Sequence, residues 1–222
     1  HPDDKYALLH EGESGKTEMW YVMDATPDAT LIYGFTHEIS HQEFERRIKD
    51  NTLLEVCNQV PIKKGDVFFI EAGTLHAIGA GALIAEIQQS SNSTYRVYDY
   101  GRVGKDGKLR ELHIEKALAV TKLEPPTRKP EPIAKLTAFA DYDLTILAQC
   151  ELFNVSHFDL HGNCSLNANK DSFHSILVLD GQIALTYGND SFTITKGESV
   201  FIPADMGEYI LNGTGEFILT TL

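Results

Sequence analysis

A fifteen-residue segment occurs twice in this chain, and the repeat restricts what the chain can fold into. Residues 64–78, KGDVFFIEAGTLHAI, align without gaps on residues 196–210, KGESVFIPADMGEYI. Lys-Gly, an acidic residue, Phe-Ile, Ala and a final Ile recur at the same places. Each copy reads as a turn glycine, a short buried strand, a second turn and the start of another strand. Two related β bodies in series are therefore expected.

The rest of the chain fits that division. Four of the eight prolines fall in residues 124–132, Glu-Pro-Pro-Thr-Arg-Lys-Pro-Glu-Pro. Proline lacks a backbone donor and fixes φ, so this stretch reads as a semi-rigid connector between domains 1–123 and 133–222. Before it, Glu18 to Ala25, Thr30 to Thr36, Asp66 to Glu71, Ala82 to Gln88 and Thr94 to Tyr100 read as strands. Ser40 to Asp50 has a Ser cap with Glu43 three residues on and Phe44 and Ile48 at helical spacing, which predicts a helix. Leu112 to Val120 predicts another. After the connector the pattern is almost purely β: Leu144 to Ala148, Leu152 to Leu160, Ser175 to Leu179, Gln182 to Tyr187, Ser191 to Thr195, Ser199 to Ile202 and Glu216 to Thr220.

Composition excludes several functions. The chain has 19 Lys and Arg against 32 Asp and Glu, a formal charge of −13. Phosphate backbones and anionic lipids are held by clustered cations, so neither nucleic acid nor a membrane surface is an expected partner. No apolar run has the length of a membrane helix. Three cysteines, Cys57, Cys150 and Cys164, stand at wide spacing with no CxxC pair. That pattern opposes a disulfide scaffold and points to a reducing, cytoplasmic compartment.

The repeat also follows the G-D-x4-P-x-G-x2-H arrangement, and on it the chain resembles two cupin jelly rolls in series. The expected fold is mainly β: two cupin-type jelly-roll barrels, with helical insertions in the first. Imidazole at a barrel-facing position is a common metal ligand. Only the first copy keeps it, as His76; the second carries Glu208 there. Any metal is thus expected in the first half, and the C-terminal jelly roll is expected to lack ligands. His157, His161 and His174 have no carboxylate or repeat position linking them into a second site.

A more specific likeness rests on four segments in order: His1-Pro2-Asp3; Lys16-Thr17-Glu18-Met19-Trp20-Tyr21; Gly73-Thr74-Leu75-His76-Ala77; and Glu86 to Arg102, EIQQSSNSTYRVYDYGR. On these the chain is similar to type I mannose-6-phosphate isomerases in their short bacterial form. The likeness spans the whole chain, with its specific motifs before residue 103. It implies a single zinc ion per chain bound by His1, Glu18 and His76, with a Gln two residues before position 1 as the fourth ligand. That Gln and the first part of the family's fold would precede this sequence, which is then expected to be part of a longer chain. The implied reaction is the reversible interconversion of mannose 6-phosphate and fructose 6-phosphate through an enediol.

The residue types suit that chemistry. Moving a proton between C1 and C2 creates oxygens with developing negative charge, which a cation with open coordination positions stabilises. A base is needed beside C2. Lys16 and Glu18 are two apart, so on a strand they share a face, and an amine beside a divalent cation has its charged form disfavoured. The resemblance points to Lys16 as the base; the alternative is a solvated loop lysine after Gly15. Glu86, on the strand after His76, is a candidate auxiliary acid or base, or else an ion-pair partner for a neighbouring strand. Arg96 and Arg102 are six apart, which on an unbroken strand puts both on one face. Arginine suits an enediolate or a phosphate through its permanent charge and forked donors. By resemblance Arg96 lies near the reacting carbons and Arg102 contacts the phosphate; Arg102 is alternatively a hairpin residue between Gly101 and Gly104. The substrate is then a small phosphosugar, and monomer and weak dimer both stay open. Two other classes also stay open: another metal-dependent cupin enzyme, and a non-catalytic sugar-phosphate-binding cupin protein.

Overall fold

The computed structural model describes residues 1–99 and 103–222. The chain forms two compact units, His1–Pro130 and Glu131–Leu222. Among the described residues no helix is long and apolar enough to cross a membrane.

The first unit runs α1 (Asp4–His10), β1 (Glu18–Ala25), β2 (Thr30–Phe35), α2 (His41–Lys49), a 3-10 turn over Leu53–Glu55, β3 (Cys57–Pro61), β4 (Val67–Ile70), β5 (His76–Ile78), β6 (Ala82–Gln88) and α3 (Ile114–Val120). Its strands form two antiparallel sheets, ordered β4-β1-β6 and β3-β2-β5. Both sheets feed one apolar cluster: Trp20 and Val22 from β1, Leu31 and Tyr33 from β2, Phe68 and Ile70 from β4. The predicted helix over 40–50 is α2, where Ser40 Oγ accepts from the Glu43 amide at 3.1 Å. Its buried Phe44 and Ile48 pack with Phe35, Leu53, Val97 and Ala117 into a second cluster.

The second unit runs β7 (Thr137–Ala138), β8 (Tyr142–Gln149), β9 (Asn154–Leu160), β10 (Asn163–Ala168), β11 (His174–Tyr187), β12 (Asp190–Thr195), β13 (Ser199–Ile202) and β14 (Gly207–Thr221). All eight join one antiparallel sheet. The long β11 pairs with β13 through its first half and β12 through its second, while β14 pairs with β10 and then β9. Where the sequence predicted two strands, 175–179 and 182–187, there is one. Gly181, at φ 77°, carries the chain across the intended turn without leaving the ladder.

The sequence repeat is reproduced bond by bond within each unit. Val22 O accepts from Gly65 N at 2.9 Å, and Val178 O accepts from Gly197 N at 2.8 Å. The acidic residue of each copy caps its turn the same way: Lys63 N donates to Asp66 Oδ2 and Thr195 N to Glu198 Oε2. Both β1 and β11 then shift register, between Val22 and Asp24 and between Val178 and Asp180.

One predicted strand is absent. Residues 94–99 form no ladder, because the Arg96 peptide bonds to a single residue instead: its N–H donates to His113 Nδ1 and its O accepts from His113 N. The one-face argument for Arg96 and Arg102 therefore fails, and Arg102 itself lies outside the described residues. Lys16 also lies before β1, not on it.

Candidate metal and catalytic site

Three of the predicted residues meet at one place in the first unit. Glu18, the first residue of β1, is 1% exposed. His76 opens β5, and His1 is held by its main-chain O, which accepts from Gly73 N at 2.7 Å. His1 Nε2 lies 3.0 Å from Glu18 Oε1, His76 Nε2 lies 3.6 Å from Glu18 Oε2, and the two Nε2 atoms are 3.1 Å apart. One ligand atom from each residue falls within 4.8 Å of the others, the sole such His/Cys/Asp/Glu group among the described residues.

The hydrogen bonds behind the rings decide what this cluster can do. His1 Nδ1 donates to Ser93 O and His76 Nδ1 to Thr74 O, each at 2.8 Å. With both Nδ1 atoms so used, the facing Nε2 atoms present lone pairs unless a proton lies between them. Two lone pairs at 3.1 Å require a positive species there, either that proton or a metal ion. Burial pushes the His76 imidazole down to about 4, with the nearby His1 adding to the effect, so His76 stays neutral and able to ligate. Trp20 backs it with an edge contact at 5.2 Å.

Glu18 adds the anion. Burial alone would raise its carboxyl, but its contact with His1, the neighbouring His76 ring and the bond from Lys16 outweigh burial and hold it at about 2. Its Oε2 is buried with no hydrogen-bond partner. An unpaired buried carboxylate oxygen costs on the order of 1–3 kcal/mol, and it lies where a cation would take it up. The donor set of two nitrogens and one carboxylate therefore fits a divalent ion such as zinc.

Two further predicted residues adjoin the cluster. Lys16 Nζ is 2.8 Å from Glu18 Oε1 and 3.6 Å from Glu86 Oε1, so one ammonium bridges two carboxylates. The backbone sets this up without a strand: Lys16 N donates to Pro2 O, and Glu86 stands opposite Trp20 in the β1–β6 ladder. Burial and the adjacent Glu18 charge raise the Glu86 carboxyl, against the pull of Lys16. Glu86 thus adjoins the cluster and faces Lys16, which precedes β1 and is not on a neighbouring strand.

Arg96 is not brought to the carboxylates. Its Nη1 donates to Glu111 O at 3.1 Å and its Nε lies 3.9 Å from Asp99. It does line a cavity of about 190 Å3 that also borders His1, His76 and Thr94 and continues to Leu53 and Cys57. The carbonyls of Ser93 and Thr74, which orient the rings, went unnoticed in the sequence; any residue supplies a carbonyl, so residue type carries no signal for them.

Two oriented imidazoles and a buried carboxylate that converge in the first unit define a candidate metal centre. The profile of "Mannose-6-phosphate isomerase, cupin domain" matches residues 143–222. Mannose-6-phosphate isomerase ManA of Bacillus subtilis is 38% identical over 223 residues, covering 100% of this chain and 70% of the relative. Mannose-6-phosphate isomerase of Streptococcus mutans is 36% identical over 219 residues, covering 98% and 67%. The crystal structure of the mannose 6-phosphate isomerase from Bacillus subtilis superposes with a TM-score of 0.91 at 34% identity, over all of this chain and 70% of that one. The chain belongs to the mannose-6-phosphate isomerase family.

Proposed function

We propose that this chain carries the catalytic machinery of an enzyme that interconverts mannose 6-phosphate and fructose 6-phosphate, with one zinc ion held by His1, Glu18 and His76. The observation that carries the reading is the buried Oε2 of Glu18, unpartnered beside two imidazoles whose Nε2 atoms face each other. Family membership supplies the substrate. Bound there, zinc would supply positive charge for the oxygens on C1 and C2 of the sugar.

The chain's own residues handle the protons. Lys16 and Glu86 stand 3.6 Å apart, and once they close to hydrogen-bond distance the ammonium proton passes to Glu86, leaving a neutral amine and a carboxylic acid. Lys16 then takes the proton from C2 of the aldose as Glu86 protonates the oxygen on C1, giving the enediol. In the second half Lys16 returns its proton to C1 while Glu86 takes the proton from the oxygen on C2, giving the ketose. Both residues end as they began. Arg96, on the wall of the same cavity, stabilises the developing enediolate once the sugar draws it from Glu111. Arg102 remains the proposed phosphate contact.

Free thiols at Cys57, Cys150 and Cys164 support a cytoplasmic location. The reading is tested by incubating the protein with mannose 6-phosphate in heavy water. Isomerase activity incorporates deuterium at C1 of the fructose 6-phosphate formed, and activity is lost with a chelator and restored by zinc. Absence of product from zinc-loaded protein overturns it.

A further inference from the structure

We propose that Glu13 is a positioning residue for the metal site, because its carboxylate fixes the Ser93 carbonyl that orients His1. The inference rests on the zinc-binding reading above. Glu13 lies three residues after α1, in a segment without regular structure. Its Oε1 accepts from Ser93 Oγ at 2.7 Å and its Oε2 accepts from the Asn92 amide at 3.2 Å. The same stretch is tied a second time: Ser93 N donates to Ser91 Oγ at 3.2 Å, and Ser91 Oγ donates to Ser14 O at 2.8 Å. Ser91 and Ser93 are both buried, so water is poorly placed to replace these bonds. At the end of the relay, Ser93 O accepts from His1 Nδ1 at 2.8 Å.

The need for such a clamp follows from the backbone. A metal-bound imidazole depends on a fixed acceptor for its other N–H, which selects the tautomer and the ring direction. For His76 that acceptor is Thr74 O, two residues away in its own turn. For His1 it is ninety-two residues away, in a segment that no strand pairing holds. Glu13 supplies the fixation that a ladder would otherwise give. A carboxylate does this where an amide would not, since both of its oxygens accept and it meets one hydroxyl and one main-chain N–H.

The test is zinc affinity, measured by competition with a chromophoric chelator, with thermal melting as the check on folding. Glu13→Ala and Ser93→Ala are each expected to weaken zinc about 10- to 100-fold, the usual range for an outer partner of a metal-bound histidine. The double variant should be no weaker than the poorer single, since both cut the same relay. Ser93→Ala changes no charge, so an equal loss there separates positioning from the removal of a nearby anion. Glu13→Gln, which keeps one acceptor for the hydroxyl, should fall between wild type and Glu13→Ala. If Glu13→Ala does not fold, Ser93→Ala decides. A folded Glu13→Ala or Ser93→Ala that binds zinc within about twofold of wild type overturns the proposal. His76→Ala is measured alongside: if it also keeps zinc, the zinc reading itself has failed, whereas loss in His76→Ala alone rejects only the role of Glu13.

Discussion

His174 occupies in the second unit the register position that Glu18 holds in the first. Glu18 stands opposite Ile70, His174 stands opposite Ile202, and these two isoleucines are the same position of the repeat. The second unit therefore has a different use for its inner face at this level. His174 Nδ1 meets Tyr209 Oη at 2.7 Å, and Tyr209 is 1% exposed. The position filled by a carboxylate in the first unit is here part of a polar pair beside an apolar core.

Removing that pair's hydroxyl should destabilise the second unit without touching the chemistry of the first. Tyr209→Phe leaves a half-buried imidazole nitrogen without a partner, at an expected cost of about 1–2 kcal/mol. Calorimetric melting gives the loss, and zinc content should be unchanged.

Lys16→Met should keep zinc and lose catalysis. A positioned general base contributes about 10²–10⁴ in rate, so kcat is expected to fall by that factor while metal analysis gives wild-type stoichiometry. Turnover near the wild-type rate removes Lys16 as the base.

His76→Ala should lose the ion. It deletes one of two nitrogen donors and leaves Glu18 Oε2 and His1 Nε2 facing a void. Elemental analysis after gel filtration is expected to show well under one zinc per chain. Full occupancy leaves His76 with a structural role alone.

The metal-free protein should lose stability in acid in two steps. Folded His76 is held at about 4, by burial above all, against about 6.5 in the unfolded chain. As pH falls from about 6.5 towards 4, the unfolded chain takes up a proton that the folded ring refuses, and stability drops by about 3 kcal/mol. Glu18, held at about 2, adds a second loss in the same direction from about 4.5 downwards. Trp20 is the one tryptophan in the sequence and lies beside His76, so its fluorescence in urea titrations with chelator reports the first unit. A urea midpoint that does not move between pH 7 and 4.5 contradicts this.

Gly73→Ala should damage both stability and metal binding. Gly73 has φ 86°, and an added Cβ would lie 2.6 Å from Val120 O. Strain of this kind costs about 1–3 kcal/mol, and relief by moving the turn displaces His1, whose O accepts from Gly73 N. A thermal melt and a zinc titration on the same sample check both effects.

Much of this site was legible because it hangs on features that side-chain type reveals. The repeat located His76 through turn glycines and a shared Phe-Ile pair, and Ser40 with Glu43 marked α2 through a capping bond that forms as expected. Lys16 reached Glu18 although it precedes the strand, since Pro2 O anchors its amide and the long side chain spans the rest. Other parts were hidden. β10, NCSLNA, buries Cys164 and Ala168 at a period of two but carries asparagines that read as loop. Thr94 to Tyr100 has strand-forming residues, yet His113 takes the Arg96 peptide, a tertiary choice with no local trace. α1 is short, and its Asp3 cap bonds the Tyr6 amide without an apolar stripe to announce it.

The Gly73 peptide has partners on both sides: its N–H donates to His1 O, and its carbonyl accepts from Lys122 N at 2.9 Å. Lys122 is among the last residues before the proline-rich stretch that leads out of the unit. A tug on that outgoing chain thus reaches the first imidazole through two hydrogen bonds and the backbone of one glycine. The tether of the unit and the aim of its ring meet at one residue.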